Sequence, residues 1–197
     1  LVVRTGVNVG YGDSYGKNFT RNLCYTAPTY TDSNGDGILD TEVPGPAPSN
    51  PCLPTSPDFD KTVTASGLPF FENFYAGGIA AQGKVRGFVD NTLGPAYTSA
   101  SGYRQPLGGS FLLAGSVEAI FPKLFDSPAA RVSAFLDFGN VYDGWDNFSA
   151  SDLRASAGVA LLWRSPMGPL SISYAMPLRK KAGDQIERLQ FTFGGQL

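Results

Sequence analysis

Histidine is missing from the chain, which removes the commonest general base and metal ligand. No nucleophile–base pair or metal-ligating cluster stands out, so neither an enzyme nor a cofactor is expected. Charged residues make up only 16%, below the quarter typical of a soluble domain. They nearly balance, at a net −2, which gives no electrostatic footing for nucleic acid. No apolar run approaches the roughly 18 residues of a membrane helix. A membrane β-barrel stays open, because its strands alternate lipid-facing and lumen-facing residues and show only short segments. Cysteine and methionine occur twice each, whereas glycine (24), proline (15) and aromatics (13%) are plentiful.

Period-two alternation is the dominant pattern. In residues 1–13, Leu1, Val3, Val7, Val9 and Tyr11 oppose Arg4, Gly6, Asn8, Gly10 and Gly12. Residues 110–121 set Phe111, Leu113, Val117, Ala119 and Phe121 outward, and Ser116 and Glu118 inward with Leu112, Ala114 and Ile120. In 131–142, Val132, Ala134, Leu136 and Phe138 oppose Arg131, Ser133, Asp137 and Gly139. Segments 153–164, 169–178 and 187–197 alternate in the same way. Six strands of near membrane-spanning length follow, and their connections alternate between long and short. The pattern predicts an all-β, antiparallel transmembrane barrel. A soluble β-sandwich or adhesin-like domain is the plainer alternative, but its outer faces should be richer in Lys and Glu. The small inner residues suit a polar lumen. The sequence opens inside a strand pattern at Leu1-Val2-Val3 and is expected to be a fragment.

Residues 14 to about 84 show turn formers and little alternation. Prolines at 44, 46, 48, 51, 54 and 57 bar a central strand there. Cys24 and Cys52 both lie in this region and fit a disulfide in an oxidising compartment, with two free thiols the alternative. Asp32, Asn34, Asp36 and Asp40 have the spacing that opens a calcium loop. The EF-hand glutamate is missing, since Val43 stands at the twelfth position. A solvated acidic turn is the preferred reading, and a weak calcium site the other. Beyond it come Phe74-Tyr75-Ala76-Gly77-Gly78 and Val85-Arg86-Gly87-Phe88, whose glycines permit close backbone approach. They read as a loop folded back with Arg86 at its tip. Glu118 and Asp137, the isolated acids on the polar faces, are its expected partners, through paired N–H···O contacts.

These pieces carry a resemblance. Phe71-Glu72-Asn73-Phe74-Tyr75-Ala76-Gly77-Gly78, Val85-Arg86-Gly87-Phe88, Asn91-Thr92-Leu93-Gly94-Pro95, Asp137-Phe138-Gly139-Asn140-Val141, Ser165-Pro166-Met167-Gly168-Pro169-Leu170 and Gln190-Phe191-Thr192-Phe193-Gly194 together resemble the BamA family of outer-membrane protein insertases. The V-R-G-F element alone would indicate only the wider superfamily, which includes two-partner secretion pores. The resemblance implies the last six strands of a sixteen-strand barrel in the bacterial outer membrane, with residues 14–109 as a long extracellular loop. It implies that β-barrel proteins are assembled and inserted by templating incoming strands at a weak seam. A passive pore or two-partner-type secretion channel is the alternative. The seam strand would hold Leu189, Phe191 and Phe193, with Gly194 and Gly195 weakening its end, although those two glycines read equally as a flexible terminus. Implied partners are unfolded outer-membrane proteins, periplasmic POTRA domains, accessory lipoproteins and outer-membrane lipid. The family's loop disulfide supports pairing Cys24 with Cys52. The family usually ends in an aromatic residue, whereas this chain ends at Leu197. Arg179, Lys180 and Lys181 would then face the phosphate-bearing outer leaflet, and a solubilising hairpin tip is the plainer reading of them.

Overall fold

The computed structural model describes residues 1–15, 21–22, 29–31, 41–43, 62–63, 68–79, 82–98, 104–122, 129–166 and 168–193. The strands are β1 (Val2–Tyr11), β2 (Arg21–Asn22), β3 (Thr29–Thr31), β4 (Thr41–Val43), β5 (Thr62–Val63), β6 (Gly87–Phe88), β7 (Ala96–Thr98), β8 (Arg104–Pro106), β9 (Phe111–Phe121), β10 (Ala130–Tyr142), β11 (Arg154–Ser165), β12 (Gly168–Arg179), β13 (Ile186–Glu187) and β14 (Leu189–Phe193). A short 3-10 turn, Ala150–Asp152, precedes β11.

One six-stranded antiparallel sheet, in the order β1-β9-β10-β11-β12-β14, carries the architecture. β1 and β14 are its edges. Its strands follow the alternation in the sequence, and the two faces differ in kind. The outer face exposes Val3, Val7, Val9, Val117, Leu136, Val159, Ile172, Met176, Leu189 and Phe191. Such a patch is far larger than a water-soluble monomer tolerates. Rings flank it at both ends. Tyr11 and the Phe111–Tyr142–Phe148 cluster lie at one end, and Phe121, Trp163 and Phe193 at the other. Gly115 lets the Phe138 ring lie across its backbone, since a Cβ there would fall 2.4 Å from that ring.

The inner face is not a uniform polar lumen. Leu112, Ala114 and Val141 form a floor on which Ala76, Val85, Phe88 and Leu93 of the loop pack, all essentially buried, with Phe74 at the margin. The apolar inward residues of β9 are there because a loop covers them. The opposite end of the same face keeps Arg4, Arg131, Ser133 and Ser171 around a cavity of about 570 Å³.

Two expectations need correction. The region from 14 to 84 is not free of strands: β2 pairs β5, and β3 pairs β4. Ladders of two or three residues are too short to show a period in sequence. The last segment is also not one strand from 187 to 197. It breaks at Arg188, so that Ile186–Glu187 pair with Phe88 and Gly87 of the loop while Leu189–Phe193 pair with β12. Cys24, Cys52, the calcium candidates Asp32, Asn34, Asp36 and Asp40, and Gly194 and Gly195 lie outside the described residues.

Candidate functional site

The site grows from the loop's own backbone. Gly78 and Val85 exchange backbone hydrogen bonds, and Ala76 bridges to Leu93, so residues 76–93 close on themselves. This presents Val85-Arg86-Gly87-Phe88 to the inner face. Gly87 has φ +92°, a conformation side chains rarely take, and an added Cβ would lie 3.0 Å from the Ala175 Cβ on β12. Only glycine lets the chain turn there against the sheet.

Strand register gathers the acids. Asp137 of β10 stands opposite Ser116 of β9, and Phe135 stands opposite Glu118. All four side chains fall on the inner face, two rungs apart. Arg86 enters among them and is only 3% exposed, while Asp137 is 0% exposed. Its Nε donates to Asp137 Oδ2 at 2.7 Å and its Nη2 to Oδ1 at 2.9 Å, a two-pronged pairing. The backbone N–H of Arg86 also reaches Oδ2, at 3.1 Å. A third prong, Nη1, meets Glu118 Oε1 at 3.5 Å. The Ser116 hydroxyl donates to Asp137 at 2.6 Å and that of Ser133 to Glu118 at 2.6 Å. The guanidinium carbon sits 3.3 Å from the Phe135 ring centroid, so the cation is also stacked on an aromatic face.

Burying two charges costs several kcal/mol each unless the remaining lone pairs and protons find partners. The serines and the ring meet that condition here. Neighbouring Lys84 feels the same surroundings. Burial first, and the Arg86 charge second, pull its ammonium below the usual lysine range.

The structure brings Val85, Arg86, Gly87, Phe88, Glu118 and Asp137 into one seat. It also shows partners that the sequence pattern did not single out: Phe135, Ser116, Ser133 and Gln190. Phe135 had a signal, an aromatic on an otherwise polar face. The serines had none. Gln190 of β14 is 4% exposed, and its side-chain amide holds the loop backbone. Gly87 N donates to its Oε1 at 3.1 Å, and its Nε2 donates to Phe88 O at 2.7 Å. The seam candidates Leu189, Phe191 and Phe193 lie on the opposite, exposed face of the same strand.

At the far end of the strands a second ionic group joins two connections. Arg154 Nη2 donates to Asp184 Oδ1 at 2.8 Å, Lys181 pairs with Asp152, and Arg179 Nη2 donates to Ser151 O at 2.9 Å. Two of the three adjacent cations are thus engaged within the protein, which favours a structural role for this basic turn over a lipid one. Burial pushes Asp184 up. The Arg154 hydrogen bond, the Lys181 backbone N–H and the Arg154 charge outweigh it and hold the carboxyl below its usual range. Asp152 is also held low, chiefly by the Lys181 hydrogen bond. An acid depressed in the folded state adds stability above its unfolded range and loses it as pH falls through its folded one. We therefore expect this clasp to open only below about pH 4. Trp145 fluorescence, in a Trp163→Phe background, should report the opening. Asp184→Asn combined with Asp152→Asn should already be open at neutral pH and show no acid transition. A wild-type signal that stays flat under acid would contradict the assignment.

Residues 52–197 match the Omp85 superfamily domain. The chain is similar to the outer membrane protein assembly factor BamA of Neisseria meningitidis serogroup B, at 39% identity over 153 residues, covering 64% of this chain and 19% of that protein. BamA of Nitratidesulfovibrio vulgaris is 35% identical over 130 residues, covering 64% of this chain and 16% of the relative. Among solved structures, BamA from Haemophilus ducreyi lacking POTRA domains 1–3 aligns with a TM-score of 0.53 and 36% identity, over 66% of this chain and 28% of that one. This chain therefore spans less than a fifth of the length of these curated relatives. The matches bear out the BamA resemblance, and with the superfamily domain covering most of its length, the chain belongs to the Omp85 superfamily.

Proposed function

We propose that these residues form the last six strands of a sixteen-strand outer-membrane barrel that assembles and inserts other β-barrel proteins. Insertion proceeds at a seam bordered by β14, where an opened edge templates the incoming strand. The observation that carries this reading is the docked loop, which fixes Arg86 on Asp137 and binds the terminal strand through Gln190. The docked loop is compatible with the whole superfamily, and the passive pore and the two-partner secretion channel rank second because the similar relatives, at 39% and 35% identity, are named assembly factors. The outer apolar belt between aromatic ends suits a bilayer. Partners in this reading are unfolded outer-membrane proteins, the POTRA domains, accessory lipoproteins and outer-membrane lipid.

Reconstituted in vesicles with its lipoproteins, the full-length protein is expected to speed the folding of an unfolded outer-membrane barrel, read as a compact band on a cold gel. Steady ion conductance without faster folding would instead assign the pore. The same reading places residues 14–109, 143–152 and 180–185 outside the cell and the turns at 122–130 and 165–168 in the periplasm. Single cysteines at Lys180 and Pro166, in a background without Cys24 and Cys52, test this with an impermeant maleimide on intact cells. Lys180→Cys should label and Pro166→Cys should not. The reverse pattern would invert the topology.

A further inference from the structure

We infer that Gln190 is a positioning residue through which the docked loop holds the terminal strand in place, so that release of the loop loosens the strand. It is the one residue of β14 that is buried, and its amide reproduces what a neighbouring strand's peptide group would offer. Its oxygen accepts the Gly87 N–H and its nitrogen donates to Phe88 O, so one side chain pairs with the loop backbone on both sides. The contact continues along the chain. Glu187 and Ile186 form a ladder with Gly87 and Phe88, and Val89 N donates to Gln185 O at 3.0 Å.

Upstream of Arg188 the chain pairs with the loop, and downstream of it with β12. β12 runs from Gly168 to Arg179, yet β14 pairs with it only from Leu170 to Tyr174. Residues 185–187, which continue β14 upstream, bond the loop instead, and the Ala175 N–H reaches the Arg188 carbonyl at the break. The terminal strand thus has two hydrogen-bonding partners that divide its length: a sheet neighbour and the loop. Arg86 anchors that loop on β9 and β10. The chain of contacts from Asp137 through Arg86, Gly87 and Gln190 reaches the sheet edge without a gap.

This inference rests on the seam reading above, but its test uses hydrogen exchange in the folded full-length protein and needs no assembly activity. Failure of the vesicle assay and failure here are therefore separate results. Gln190→Leu removes its side-chain hydrogen bonds to Gly87, Phe88 and Glu187, and Gln190→Glu keeps an acceptor while losing the donor to Phe88 and Glu187. Both should raise exchange in 189–193 by about tenfold and leave the 131–137 amides unchanged. Thr192→Val, on the same face but without a loop bond, should not. Arg86→Ala alone should also raise exchange in 189–193. Gln190→Leu added to Arg86→Ala should then contribute little more, because both act through one coupling. Additive effects, or Arg86→Ala leaving 189–193 fully protected, would show that Gln190 merely stabilises its own strand and would overturn the inference.

Discussion

Arg86→Ala is expected to cost the folded barrel about 3–5 kcal/mol, less where water enters the inner face. Asp137, fully buried, would lose both guanidinium prongs and keep only the Ser116 hydroxyl and the loop N–H, if the loop remains seated. Phe135 would lose its stacked cation. Arg86→Lys should fall between alanine and wild type, since an ammonium keeps the charge but cannot pair in two parallel bonds or stack as a plane. Denaturation midpoints and the heat-induced shift of the barrel on a gel measure both. Equal stability of the alanine variant and wild type would mean that the ion pair is incidental.

Gly87→Val should loosen the loop's seat even though no charge is touched. A β-branched residue at φ +92° is a strong backbone outlier, costing about 1–3 kcal/mol. The new side chain must also enter space within 3.0 Å of Ala175 and 3.5 Å of Ser156, for a further 1–3 kcal/mol or about that. Together these exceed what the Gln190 hydrogen bonds return and offset much of what the Arg86 pair contributes, so the loop should open far more often. Protease cleavage between residues 82 and 98 should rise sharply, with Gly87→Ala milder in the same direction. A loop that stays protected in the valine variant would rule out close packing at this position.

Five of the six sheet strands, β1, β9, β10, β11 and β12, were legible because each repeats its alternation over ten or more residues, enough for a period to show. Glu118 and Asp137 stood out because a lone acid on a face of small polar residues needs a partner. Ser116 and Ser133 did not, since a serine on such a face looks the same with or without a carboxylate to bond. The break at Arg188 was hidden for another reason. Residues 186–193 continue to alternate in sequence, and nothing local shows that the first of them are claimed by a loop a hundred residues earlier. The short β3–β4 ladder was below the length at which any pattern registers. Gln190 shows in the sequence only as a polar residue within the alternation of the last segment.

The loop's attachments also set an order of events in folding. Arg86 and its acid are 51 residues apart, whereas Gly87 and Gln190 are separated by 103. Doubling a loop adds only about 0.6 kcal/mol of closure entropy, so distance alone is a small handicap. Order matters in another way, because seating Arg86 on Asp137 first shortens the loop that remains to be closed to Gln190. The arginine contact is therefore the favoured first closure, and the glutamine contact follows as β14 joins β12. A chain cut before Gln190 would keep Arg86, Glu118 and Asp137 while lacking the contact to β14.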